Sequence, residues 1–136
     1  MGLPEEYDFL LTASYALGIP SPTGKILKDV IDQHPEYRGT KPGEEIRTEN
    51  GTTMNPRIHV AIEAAVENQI TRNDPPEARE AYLKLINQGV DAHEARHEVG
   101  RIFLDLVWHI VNRRLTDDPI NVYRSHLLDL IRRGPF

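Results

Sequence analysis

The feature that most constrains the fold is a repeated pairing of a helix-capping residue with proline. It occurs four times in the chain, as Ser21-Pro22, Asn55-Pro56, Asp74-Pro75 and Asp118-Pro119. A side-chain oxygen just before a helix accepts a hydrogen bond from a free backbone N–H, and proline already has the φ angle of a first helical residue. Each pair therefore predicts a helix start, whereas no segment shows the sustained period-two alternation typical of a strand.

Combined with apolar residues at helical spacing, these starts predict an all-α protein, a compact helical bundle of about five or six helices. We expect one domain over residues 1–136, with helices near 4–17, 22–33, 56–71, 76–87, 92–113 and 119–132. Residues 35–54 are rich in glycine, proline and charge, so a long loop is predicted there. It could be a lid, a mobile surface loop, or an arm reaching a second copy of the chain, which keeps a homo-oligomer open.

Composition excludes several classes of function. The net charge is -5, so no nucleic-acid partner is expected. There are no cysteines, which excludes disulfides, thiolate metal sites and cysteine nucleophiles. The first residues are acidic where a signal peptide would be basic, and no apolar run reaches the length of a membrane span. We therefore expect a cytoplasmic protein without a membrane partner.

The strongest chemical motif is His93-Glu94-x-x-His97 at the start of the helix predicted for 92–113. Asp91 precedes it as a predicted N-cap, and Glu94 is three residues later, which fits a capping box. On a helix, the two histidines lie one turn apart on one side, where two imidazoles can hold one divalent metal ion. Gly100 continues their line and permits close approach of a neighbouring helix.

A second pair with the same spacing, His59 and Glu63, lies on the helix predicted for 56–71. Both pairs occupy the first two turns of their helices and border the predicted core. Buried imidazoles and a carboxylate need polar partners, and one metal ion would satisfy all four groups at once. We therefore predict a mononuclear metal site with the ligands His59, Glu63, His93 and His97.

Three imidazoles and one carboxylate suit zinc, iron, nickel, manganese or cobalt. If all four groups bind zinc tetrahedrally, the site is closed and structural; if three bind, a water can occupy the fourth position. Glu94 would then be the candidate general base of a metal-dependent hydrolase with an unidentified small-molecule substrate. A third alternative has no metal, and the histidines simply pack in a helical interaction module.

The same residues carry a family resemblance. The pattern of Asn55-Pro56-x-x-His59-x-x-x-Glu63, Asp74-Pro75-Pro76 and Asp91-x-His93-Glu94-x-x-His97 resembles a family of small bacterial proteins of unknown function, as does His34-Pro35-Glu36-Tyr37. The likeness covers roughly residues 26–112. It implies an α-helical fold and supports the metal site, and it implies that the position of Glu63 is often histidine. A carboxylate there makes the site less exclusive for zinc.

Overall fold

The structure is a computed structural model that describes residues 18, 30, 32–33, 46–47, 53–111 and 118–133. The helices in these ranges are α1 (Pro56–Arg72), α2 (Pro76–Asn87), α3 (Ala92–Val111) and α4 (Pro119–Arg133). Two strands of two residues each, β1 (Ile46–Arg47) and β2 (Thr53–Met54), form an antiparallel ladder. The predicted all-helical class is confirmed, and the described ranges hold four helices rather than five or six.

The other predicted helices and the predicted long loop lie largely outside the described residues. This applies to the helix predicted for 4–17 and to most of the one predicted for 22–33, within which Val30 and Asp32 are helical. It also applies to most of the predicted loop 35–54, which contains both short strands. Strands of two residues are too short to show an alternating pattern, so no periodicity predicted them.

Two of the predicted N-cap residues make the expected hydrogen bonds at the starts of their helices. The Ile58 N–H donates to Asn55 Oδ1 at 3.3 Å, and the Ile120 N–H donates to Asp118 Oδ1 at 3.3 Å. Proline follows each cap as the first helical residue, which fixes where α1 and α4 begin.

The predicted cap at Asp74 is wrong. The residue in the capping position of α2 is Pro75, which makes no side-chain cap hydrogen bond. The reason is the second proline: Pro76 takes the first helical position, so the residue before it has no side-chain oxygen to offer. Glu77 supplies the negative charge that favours a helix start, and its carboxylate accepts from Arg124 Nε at 2.7 and 3.0 Å.

The four helices share one core. Consecutive helices pack on each other, and in addition α1 packs on α3 and α2 packs on α4. The largest fully buried side chains include Phe103 of α3 and Tyr123 of α4, whose ring centroids are 5.5 Å apart. The Tyr123 hydroxyl donates a hydrogen bond to Gln69 Oε1, which ties α4 to α1 through the interior. Burial raises the pKa of this phenol above its ordinary value.

The long helix α3 contacts α1, α2 and α4. Two of its apolar side chains are nevertheless exposed to solvent. Leu104 is 43% exposed and Trp108 is 48% exposed in the structure. The described residues therefore leave an apolar strip along α3 uncovered.

Among the described helices, none has the length and apolarity needed to cross a membrane.

Candidate metal centre

The first turns of α1 present His59 and Glu63. The Asn55 cap and Pro56 fix the start of this helix, which places His59 in its first turn and Glu63 one turn further on. His59 Nε2 lies 3.5 Å from Glu63 Oε1, and the side chain of Glu63 is only 6% exposed. Such a deeply buried carboxylate requires polar partners, because an unpaired charge is costly to remove from water.

The first turns of α3 present His93 and His97. The predicted cap holds here as well: the His93 N–H donates to Asp91 Oδ2 at 3.0 Å, and the Ala95 N–H donates to the Asp91 carbonyl at 2.8 Å. The two imidazole rings are one turn apart, with centroids separated by 4.2 Å and ring planes tilted by 55°. The start of α3 therefore directs two histidines to the same side of the helix.

All four predicted ligands meet at one atom. Glu63 Oε1 lies 2.9 Å from His97 Nε2, 3.5 Å from His59 Nε2 and 3.5 Å from His93 Nδ1. The side chains of His59 and His97 are 19% and 26% exposed, so both line the edge of the core. Two segments distant in sequence thus bring three imidazole nitrogens around one carboxylate oxygen.

Three of these residues form the tighter group. His59, Glu63 and His97 each offer one ligand atom, and these atoms all lie within 4.8 Å of one another, so the group could hold a metal ion. His93 is not in that group and is the most open of the four, with a side chain 44% exposed. The sequence did not predict that His93 would be more exposed than His97, because a spacing of four residues treats the two histidines alike.

The distances around Glu63 fit a metal site. Zinc–nitrogen and zinc–oxygen bonds are about 2.0–2.2 Å long, so donor atoms at tetrahedral angles are about 3.4 Å apart. At octahedral angles the same bonds place neighbouring donors about 3.0 Å apart. The observed contacts of 2.9 and 3.5 Å lie close to these two values. The separations to the carboxylate oxygen therefore match those between ligands of one ion, and the ligand atoms of His59, Glu63 and His97 all lie within 4.8 Å of one another.

Glu94, the candidate general base, lies beside the cluster on α3. Its Oε1 lies 4.0 Å from Nδ1 of His97, whereas the other ring nitrogen of His97 faces Glu63. Its side chain is 57% exposed. A separation of 4.0 Å is longer than a hydrogen bond, so this contact does not by itself fix the orientation of the His97 ring.

Gly100 allows the two helices that carry the ligands to approach closely, as predicted. A Cβ atom at this position would lie 3.2 Å from Cγ2 of Ile62 and 3.8 Å from Cγ2 of Val66. Both contacts are with α1, so a larger residue at this point would press the two helices apart. The ligands of α1 and α3 meet partly because this position has no side chain.

A cavity beside the ligands was not predicted. It has a volume of about 420 Å³ and is lined by His59, Glu63 and His97 together with Ile58, Ile62, Gly100 and Leu104. Arg96 and Arg101 also line it. The sequence signal for this region is that Gly100 and Leu104 follow His93 and His97 on the same side of the helix. Gly100 in this position predicted close packing of two helices but did not reveal the space left beside them.

The other histidines are elsewhere in the described structure. His109 Nδ1–H donates to the Asp105 carbonyl at 2.7 Å, near the far end of α3. His126 is exposed on α4. Neither of them belongs to the cluster around Glu63. His34 lies outside the described residues.

The fold and the site together define a small helical protein with a histidine–carboxylate cluster between the starts of two helices. A family model described as a domain of unknown function (DUF1841) matches residues 17–129. The chain therefore belongs to this family, and the resemblance drawn from the motifs is confirmed. The matched region includes all four predicted ligands. Comparison with curated proteins gave no match, and comparison with solved structures gave none either.

Proposed function

We propose that this protein binds one divalent transition-metal ion through His59, Glu63, His93 and His97. The observation that carries the proposal is the gathering of three imidazole nitrogens, from two helices, around a single oxygen of a carboxylate that is 6% exposed. His59, Glu63 and His97 supply the tighter set, and His93 adds the fourth ligand from the more open side.

The three ring contacts to Glu63 Oε1 differ in length. A hydrogen bond from a ring N–H to an oxygen is usually about 2.7–3.2 Å long. Of the three ring contacts to Glu63 Oε1, the one from His97 at 2.9 Å is within that range and the two at 3.5 Å are beyond it. A cation among these atoms would be coordinated by the ring nitrogens and would offset the charge of the buried carboxylate.

The ligand types limit the ion. Nitrogen and oxygen ligands of intermediate softness suit zinc, iron, nickel, manganese and cobalt, and the chain has no cysteine to favour a softer ion. A carboxylate in the set keeps the harder ions of this group available. The proposal is therefore for one ion of this group per chain.

Metal content of protein purified without a polyhistidine tag tests the proposal. We expect about one equivalent of metal in the wild type and a large loss in His97→Ala, because the remaining ligands are too few for tight binding. His109→Ala is the matched control, since it removes another histidine of α3 far from the cluster. Wild-type protein without metal, or equal metal content in His97→Ala and His109→Ala, would refute the proposal.

A second candidate function, metal-dependent hydrolysis, is favoured by the cavity that adjoins the ligands. Space beside a metal ion permits an open coordination position, at which a bound water is made more acidic. Glu94, whose side chain is 57% exposed beside His97, is the candidate general base of such an enzyme. Glu94→Gln is therefore expected to remove hydrolysis and to leave the metal content unchanged.

A further inference from the structure

We propose that the cavity beside the metal centre binds a small monoanionic organic molecule, with its charged head on the metal ion and a short apolar tail between α1 and α3. This inference rests on the proposed metal site. It adds the chemical class of the ligand, which neither the family description nor the ligand geometry gives.

Beside its polar residues, the cavity has an apolar part. This part is lined by Ile58 and Ile62 of α1 and by Gly100 and Leu104 of α3. Leu104 is 43% exposed, so an apolar tail that covered it would remove apolar surface from water. A volume of about 420 Å³ is within the range of sites that enclose small ligands.

The charge balance favours a ligand with one negative charge. A divalent ion with Glu63 and neutral histidines has one positive charge left over. The two arginines that line the cavity are already paired, Arg96 with Glu67 at 3.6 Å and Arg101 with Glu98 at 2.7 Å. The starts of α1 and α3 both lie at the cluster, and helix N-termini favour negative charge. One anionic head would neutralise the remaining charge.

The order of these features along the cavity sets the orientation of the ligand. His59, Glu63 and His97 are at the metal end, and Leu104 lies nearly two turns beyond His97 along α3. A carboxylate or hydroxamate head at the ion therefore directs its chain along Gly100 towards Leu104. An amphiphile of opposite polarity, with a cationic head, would place positive charge against the ion and is disfavoured.

Linear alkyl hydroxamates of increasing length are suitable probes, because their head groups bind metal ions and their tails vary only in apolar area. Calorimetric titration of metal-loaded protein is expected to show affinity rising roughly fourfold per added methylene until the cavity is filled. In cobalt-substituted protein, each hydroxamate should also change the visible absorption of the ion, which places the head on the metal. Hexylamine should bind at least about tenfold more weakly than hexanohydroxamate.

Two exposed leucines give a matched pair of variants. Leu104→Ser is expected to keep its metal and to lose most of the dependence of affinity on chain length. Leu83→Ser is the control, because Leu83 is 48% exposed on α2 and does not line the cavity. It should retain the full dependence. Unchanged dependence in Leu104→Ser would overturn the inference.

The outcomes separate the two proposals. Protein that holds about one equivalent of metal but binds all hydroxamates equally well contradicts the apolar-tail inference and leaves the metal site standing. The same holds if hexylamine binds as tightly as hexanohydroxamate. Protein without stoichiometric metal contradicts the proposed function, and the inference then fails with it.

Discussion

At the scale of single residues, Glu63 decides the chemistry of the cluster. It is the only carboxylate among the four predicted ligands, and its side chain is 6% exposed. Three ring nitrogens approach the same oxygen of this side chain. A neutral residue of the same shape would keep the packing but would remove the charge that attracts a cation.

Glu63→Gln is therefore expected to lower metal affinity by more than about 100-fold, since loss of a group that only supports a ligand already costs about 10–100-fold. Competition with a chromophoric chelator measures this change. Glu67→Gln is the matched control, one turn further along α1, where the carboxylate faces Arg96 at 3.6 Å and is 39% exposed. If both variants retain wild-type affinity, Glu63 is not a ligand.

At the scale of helices, the site depends on how α1 and α3 begin. Each has an acidic or amide side chain at its cap, and each delivers its ligands within the first two turns. Residues near a helix end are the most prone to fray, so the caps keep the ligand-bearing turns in place. The cap of α3 matters most because two histidines follow it.

Asp91→Ala is expected to reduce the free energy of unfolding by about 1 kcal/mol, the usual cost of losing a cap. Because the weakened turn carries His93 and His97, metal affinity should also fall. Asp118→Ala provides the comparison, since it removes an equivalent cap hydrogen bond from α4, which contributes none of the predicted ligands. Urea unfolding of metal-free protein and metal titration of each variant measure the two effects. Equal metal affinities in the two variants would contradict a role of this cap in the site.

The helices were the part of the structure that could be predicted most completely from the sequence. Local signals determine where a helix starts, and the predicted bounds of the four described helices agree with the observed ones to within two residues. The difference of two residues is at α3, where the residues directly after Val111 are not among those described. The meeting of His59 and Glu63 with His93 and His97 followed from a further argument, that buried polar groups need partners. Local patterns contain no information on how much space remains between packed helices. The cavity and the exposure of Leu104 and Trp108 therefore required the three-dimensional arrangement.

At the scale of the whole molecule, a polar contact lies inside the core that joins the helices. The Tyr123 hydroxyl and Gln69 are both buried and hydrogen-bonded to each other, and Gln69 Nε2 is buried without a hydrogen-bond partner in the described structure. A phenol in this position is stable only while it is protonated, because its ionised form would lose its hydration without gaining a counter-charge.

This contact predicts a loss of stability in alkaline solution. Burial raises the pKa of Tyr123 in the folded state, whereas the unfolded chain ionises near the ordinary value of 10.0. The contribution of Tyr123 is thus fully present below pH 10.0 and is lost as the pH rises above it. Relative to Tyr123→Phe, the wild type should lose up to about 1.4 kcal/mol of unfolding free energy per pH unit in that window.

Urea unfolding of both proteins between neutral pH and pH 11 measures the difference. At neutral pH the variant should be less stable by about 1 kcal/mol, because Gln69 loses its partner. Above the ordinary pKa of tyrosine the two curves should converge or cross. Curves that stay parallel across the whole range would show that the phenol ionises equally well in the folded protein.

The separation of the ligands along the chain has one more consequence. Glu63 and His97 are 34 positions apart, and the whole of α2 lies between them. An ion bound to both would act as a cross-link that closes this part of the polypeptide into a ring, although all the predicted ligands lie outside α2. Such a ring restricts the freedom of the unfolded chain, as a disulfide does. In a protein without cysteine, an ion bound outside α2 would thus help to stabilise the folded position of α2.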